Sequence, residues 1–305
     1  MKIIFFGTSE IGLPILQKLI DEHEVLSVVT SPDKPVGRKQ ILTPSPIAKL
    51  AEECKLPVHK PNKVKDNSEF IETLKSFGAN IFIVVSYGKI LPLELLSIPP
   101  LKTINVHFSL LPKYRGPAPV QFALLNGETK TGSTIFVLDE LVDHGPILAT
   151  AEISIEPSDT NPTLQAKLAK LSADLLIETL PKYEAGQITP IEQDHEQATA
   201  TKIISKDDGR INWEDSALEI YNRWRAFQPW PGITTEWNHK LLKIVECRLA
   251  DEQLKLPCGM TQDDLVACGN DSALKLIYIQ LEGKKTVDIK DFLNGYPEFS
   301  NSSLS

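Results

Sequence analysis

The sequence predicts an α/β domain on a mainly parallel sheet, followed by a small β-barrel. Three observations lead there. Apolar, β-branched runs alternate with helix-periodic segments over the first half, as in a parallel sheet with right-handed crossovers. After Gly132 the spacing becomes that of a hairpin, and after Trp213 short β-rich runs take over.

Lys2 to Phe6 reads as a buried strand. Gly7 and Gly12 bracket a turn, and Ile11, Ile15, Leu16 and Leu19 follow at helical spacing. Val25 to Val29 is a second strand. The loop Thr30 to Pro46, with Pro32, Pro35, Gly37, Pro44 and Pro46, is expected to resist regular structure. Helical patterns over about Pro46 to Glu53 and Ser68 to Phe77 then alternate with apolar runs at Ile81 to Val85 and Thr103 to Val106. Thr134 to Leu138 and Ile147 to Ile155 are joined by a link too short for a helix, so they should pair antiparallel. A helix with Leu164, Leu168, Leu171, Leu175, Leu176 and Leu180 on one side ends at Pro181. The expected division is 1–187, a polar linker at 188–205, and 206–305, with a short helix after Trp213. Ile233 to Trp237, Leu241 to Val245, Leu265 to Ala267 and Leu274 to Gln280 read as barrel strands, and Ser300 to Ser305 as a frayed end.

The 305 residues, 42% hydrophobic and 24% charged, suffice for two domains with cores of their own, which excludes a disordered tail protein. No run approaches the roughly 18 apolar residues of a membrane span, so neither a signal peptide nor an anchor is expected. Cys54, Cys247, Cys258 and Cys268 show no metal-ligand spacing. Reduced thiols, a cytoplasmic location and no metal are the expectations. A formal charge of −8 argues against indiscriminate coating of nucleic acid. Between Lys34 and Lys65, however, eight basic residues face two acidic ones, a local charge of +6.

Gly7-Thr8-Ser9-Glu10-Ile11-Gly12 is neither GxGxxG nor a phosphate-cradling loop, and reads as a turn joining strand to helix. Asn105-Val106-His107 says more. It ends an apolar strand, where ligand clefts of α/β sheets open, and alternation sends both polar side chains to one side. An imidazole exchanges protons near neutrality, and a carboxamide donates to a developing oxyanion without changing charge. A satisfied polar pair at a strand end is the competing explanation. His144 is a rival base, read as a bystander beside Asp143; Asp139 and Glu140 read as a solvated hairpin tip. Trp213, Trp224, Trp230 and Trp237 are expected in packing rather than on stacked bases.

The run Asn105-Val106-His107-Phe108-Ser109-Leu110-Leu111-Pro112-Lys113-Tyr114-Arg115-Gly116 resembles the signature of the formyltetrahydrofolate-dependent formyltransferases. It departs at Phe108, where that family commonly has Pro. The continuation Gly116-Pro117-Ala118-Pro119-Val120-Gln121 is similar to the branch that formylates methionyl-tRNA. The resemblance extends to Phe5-Phe6-Gly7-Thr8-Ser9, Ser31 to Arg38, Ile204-Ser205-Lys206 and Arg225 to Pro231.

It implies a Rossmann-like formyltransferase domain followed by an OB-like tRNA-binding barrel. The implied reaction moves the formyl group of 10-formyltetrahydrofolate, released as tetrahydrofolate, to the α-amino group of methionyl initiator tRNA for translation initiation. Catalysis is placed on Asn105, His107 and Asp143. His107 would shuttle the proton, Asn105 would donate to the oxyanion, and Asp143 would orient the imidazole. The folate slot is placed on Ser86, Tyr87, Gly88, Ile90 and Leu91, with Ser109, Leu110, Leu111 and Pro112 as the facing wall. Lys34, Arg38 and Lys39 are placed on the tRNA acceptor stem. A monomer is expected. An amino sugar nucleotide formyltransferase would share the catalytic trio without needing the basic loop. A non-catalytic tRNA-binding module would keep the basic loop and tolerate loss of His107.

Overall fold

The computed structural model describes residues 1–37 and 40–305. The first compact unit comprises 1–119, 130–154 and 165–202; the second comprises 120–129, 155–164 and 203–305.

The first unit is organised around β1 (Lys2–Gly7), whose residues Ile3 to Phe6 are all fully buried. After α1 (Leu13–Glu22) the chain returns as β2 (Glu24–Val29), parallel to β1. Where a loop without regular structure is expected, Lys34–Val36 (β3) and Ile41–Thr43 (β4) pair as an antiparallel two-stranded ribbon. A ribbon separate from the main sheet tolerates Pro35, because an unpaired edge does not need its missing N–H. The Ser45 hydroxyl accepts from Ala48 N at 3.0 Å to cap α2 (Pro46–Glu53), with Pro46 preset at the first helical position. β5 (Val58–His59), α3 (Ser68–Ser76) capped by Asn67, β6 (Ile81–Val85), the short α4 (Leu93–Leu96) and β7 (Thr103–His107) complete the parallel part. Beyond α5 (Pro119–Leu125), which falls almost wholly in the second unit, β8 (Lys130–Val137) and β9 (Ile147–Ser154) form the expected hairpin, and β8 also runs antiparallel to β7. The seven-stranded order is β5-β2-β1-β6-β7-β8-β9. Successive parallel strands leave β1 in opposite directions, which opens a crevice at the carboxyl ends of β1 and β6, with β7 alongside. α6 (Asn161–Glu184) follows, with Leu164, Leu168, Leu176 and Leu180 fully buried.

The second unit contains α7 (Ala217–Ala226), fixed by a reciprocal capping box between Ser216 and Glu219. Its sheet is built from β10 (Ile233–Trp237), β11 (Lys240–Leu249), β12 (Thr261–Gln262), β13 (Leu265–Ala267), β14 (Ala273–Leu281) and β15 (Val287–Asp288), followed by α8 (Ile289–Gly295). The order is β10-β11-β14-β13-β12, with β15 on β14. The C-terminal residues, expected to fray, instead close this ring. Ser305 exchanges both backbone hydrogen bonds with Glu236 of β10, while Leu304 N donates to Gly259 O and Thr261 N to Ser302 O. Phe299 is fully buried, and Trp237 packs edge-on against it at 5.3 Å. Trp213 is buried and donates to Thr235 at 3.0 Å, as packing predicts, but Trp230 is 56% exposed.

Among the described residues, no helix is long and apolar enough to cross a membrane. Among the same residues, no group of His, Cys, Asp and Glu is arranged to hold a metal ion.

Candidate active site

His107 is the last residue of β7 and only 5% exposed. Its Nε2 lies 2.9 Å from the Tyr114 carbonyl. A carbonyl only accepts, so Nε2 carries a hydrogen. Nδ1 faces Asp143 Oδ2 at 3.5 Å. Asp143 sits in the left-handed region, at φ 49°, which Asp adopts more readily than most non-glycine residues. Gly116 N donates to Oδ2 of the same carboxylate at 2.7 Å. Asn105 lies two positions before His107 on the same strand face, between Val84 and Phe136 in register. Its carboxamide is half-buried and has no hydrogen-bond partner among the described residues, which leaves it available to an incoming group. Asn105, His107 and Asp143, named from sequence, are therefore gathered at one end of β7.

The loop after β7 is bound tightly from within. The buried Ser109 hydroxyl donates to Lys113 O at 2.7 Å, and Thr134 of β8 both donates to Ser109 O and accepts from Leu111 N. Leu110 and Pro112 are half-buried, Leu111 is buried, and the Leu111–Pro112 peptide is cis.

The stretch after β6 divides its residues between surface and core. Ser86 takes φ 46° and turns the chain, Gly88 takes φ 78° at the surface, Ile90 is 79% exposed and Leu91 is buried. The Tyr87 ring faces inward, edge-on to Phe6 at 5.6 Å, with its hydroxyl buried and without a partner among the described residues. Thr8 donates to the Tyr87 carbonyl at 3.1 Å.

Burial pushes the Tyr87 phenol up to about 12 from its ordinary 10. The unfolded chain ionises first as pH rises past 10, so stability intact below pH 10 is lost toward pH 12. Tyr87→Phe is expected to unfold in urea at the wild-type midpoint or later at pH 7, and to remove roughly 2 kcal/mol of that alkaline loss. Equal alkaline losses in the two proteins would contradict the buried placement.

Of the three residues placed on tRNA, Lys34 opens β3 and is exposed, whereas Arg38 and Lys39 lie outside the described residues. Lys60, inside the basic stretch, is paired with Asp33 at 2.8 Å and Glu52 at 3.3 Å; the Asp33 contact chiefly holds its ammonium above the ordinary lysine range.

Four features of the site were not foreseen. A cleft of about 430 Å³ is lined by Leu93, Leu96, Leu138 and Leu141, together with Lys102, Asp139 and Glu140. Asp139 is more than a solvated tip: it accepts from Leu141 N and pairs with His144 Nδ1 at 2.7 Å. His144 also stacks on His195 at 4.1 Å. Residues 193–201, expected to link domains, run beside the loop at 112–118. Arg115 N donates to Thr199 O, Thr201 N to Arg115 O, and Tyr114 N to Thr199 Oγ1. Only the cleft leucines had a local sequence signal, as apolar residues after Leu91 and at the end of β8.

Residues 1–180 match the formyl transferase family, and residues 203–297 match the formyl transferase C-terminal domain. A methionyl-tRNA formyltransferase from Caldicellulosiruptor saccharolyticus is 46% identical over 304 residues, covering 97% of each chain. One from Koribacter versatilis is 43% identical over 308 residues, covering 100% of this chain and 98% of its own. In fold, the chain is similar to an N-formyltransferase from Helicobacter canadensis solved with folinic acid and dTDP-3-aminofucose. That match has a TM-score of 0.67 at 19% identity, covering 90% of this chain and 98% of the other.

Proposed function

Because the chain belongs to the formyl transferase family, we propose that it transfers the formyl group of 10-formyltetrahydrofolate to the α-amino group of methionyl initiator tRNA. The full-length likeness to methionyl-tRNA formyltransferases at 46% and 43% identity carries this reading. The neighbour solved with an amino sugar nucleotide shares only the fold, at 19% identity.

A folate co-substrate fits the residues present. The cleft at Leu93, Leu96, Leu138 and Leu141 offers apolar walls for a flat heterocycle, and its Asp139–Leu141 side belongs to the loop that carries Asp143. The backbone turn at Ser86 to Gly88, with Ile90 and Leu91, is the other side proposed to hold it, and Ser109 to Pro112 the wall nearest His107. When bound, the co-substrate supplies an activated formyl group. The protein's own residues then handle charge and protons. The free Asn105 carboxamide donates to the oxygen that gains charge as the amine adds to the formyl carbon. His107 takes the proton of the attacking amine at Nδ1 and returns it to the nitrogen that departs, so the proton count balances. Asp143 stabilises the imidazolium between those two events, and the Tyr114 carbonyl keeps the ring from turning. Lys34, Arg38 and Lys39 are proposed to neutralise phosphates of the acceptor stem.

The test offers labelled 10-formyltetrahydrofolate with methionyl-tRNA in one tube and amino sugar nucleotides in another. Label is expected on methionyl-tRNA; label on the sugar alone would overturn the reading.

A further inference from the structure

The inference here rests on the reading of His107 and Asp143 as the reacting pair, and concerns what holds that pair in place. Gln193 belongs to no helix or strand, yet it is 5% exposed. Its Nε2 donates to the Asp143 carbonyl at 3.0 Å and to the Gly145 carbonyl at 2.8 Å. Its Oε1 accepts from Arg115 Nε at 3.1 Å and Nη2 at 2.7 Å. A carboxamide has two donor hydrogens and two acceptor lone pairs, and here all four are used. The orientation is also unique: turned over, oxygen would face two carbonyls and NH₂ would face a guanidinium.

Gln193 thereby joins the two loops that meet at the carboxylate. One loop presents Asp143 at φ 49°; the other presents Gly116 N to Asp143 Oδ2 and Tyr114 O to His107 Nε2. Arg115 lies between Tyr114 and Gly116, and its Nη2 also donates to His195 Nδ1 at 2.9 Å. Gln193 therefore grips the Asp143 backbone on one side and the residue between His107's acceptor and Asp143's donor on the other. Nothing else among the described residues donates a side-chain hydrogen bond to the Asp143 carbonyl.

We propose that Gln193 is a positioning residue for formyl transfer, acting through Asp143 by clamping its left-handed backbone against the Arg115 loop. It touches neither substrate nor reacting atoms.

Gln193→Glu keeps the length and the Arg115 contact but turns an oxygen toward two carbonyls; Gln193→Met removes both donors without adding charge. Each, in the full chain, is expected to lower kcat for methionyl-tRNA by about 10- to 100-fold, the scale of a small misplacement, with both KM values within about twofold. The decisive readout is a cycle with Asp143→Asn. If Gln193 works through Asp143, adding Gln193→Glu to Asp143→Asn lowers kcat no further. Independent, multiplying losses would overturn the proposal while leaving the reading of the pair intact. So would wild-type kcat in either Gln193 variant, or loss of the folded state in both, which would make the residue merely structural. Full activity in Asp143→Asn would sink the reading of the pair, and this proposal with it.

Discussion

His107→Ala is expected to lower kcat for methionyl-tRNA by about 10³-fold, within the span of a lost general acid–base group. The substitution removes the imidazole whose Nδ1 faces Asp143 Oδ2 at 3.5 Å and leaves Asn105 on the same face of β7. It also removes the hydrogen bond between Nε2 and Tyr114 O, worth roughly 1 kcal/mol. A thermal midpoint lowered by a few degrees would therefore accompany the loss without explaining it. Folate affinity by calorimetry is expected to remain near wild type, because no wall of the 430 Å³ cleft is formed by His107. Turnover at a tenth of the wild-type rate or better would remove His107 from the chemistry, and with it the tautomer argument built on Tyr114.

How far the sequence reached depended on whether a feature repeats locally. Strands β1, β2, β6 and β7 were legible because each is buried on both faces and reads as one apolar run. Asn105 and His107 stood out against such a run as two polar residues sharing one face. Gln193 had no comparable signal: its partners lie 50 and 78 residues away, and contacts of that range leave no period in the chain. The tail misled for a related reason. Asn301-Ser302-Ser303-Leu304-Ser305 has the composition of a loose end, but the bonds that close the barrel come from its backbone, which any side chain would supply. The placement of the Tyr87 ring had no sequence signal either: it follows the turn at Ser86, with φ 46°, and packs in the core.

The second large effect is steric and lies on the backbone. Gly145 follows the pair Asp143-His144 and stands where the ends of β8 and β9 close on each other, with Val137 N donating to Pro146 O at 2.9 Å. A Cβ at Gly145 would lie 1.9 Å from Val137 O and 3.1 Å from Val137 C, atoms of the backbone that no rotamer change can move. Gly145→Ala must therefore push the two strand ends apart. That displacement acts on the same peptide whose carbonyl accepts from Gln193, and so on the carboxylate two residues earlier. Expected are a loss of about 1–3 kcal/mol in urea unfolding, the usual cost of forcing atoms into a packed site, and a fall in kcat of about 100-fold. Gly295→Ala is the matched control: the added methyl meets nothing within 4 Å at the end of α8, so activity should be unchanged and stability equal or slightly higher. If Gly145→Ala retained wild-type kcat, the loop at Asp143 would have to be free to move without penalty, and the pairing of Asp143 with His107 could not depend on the backbone holding it there.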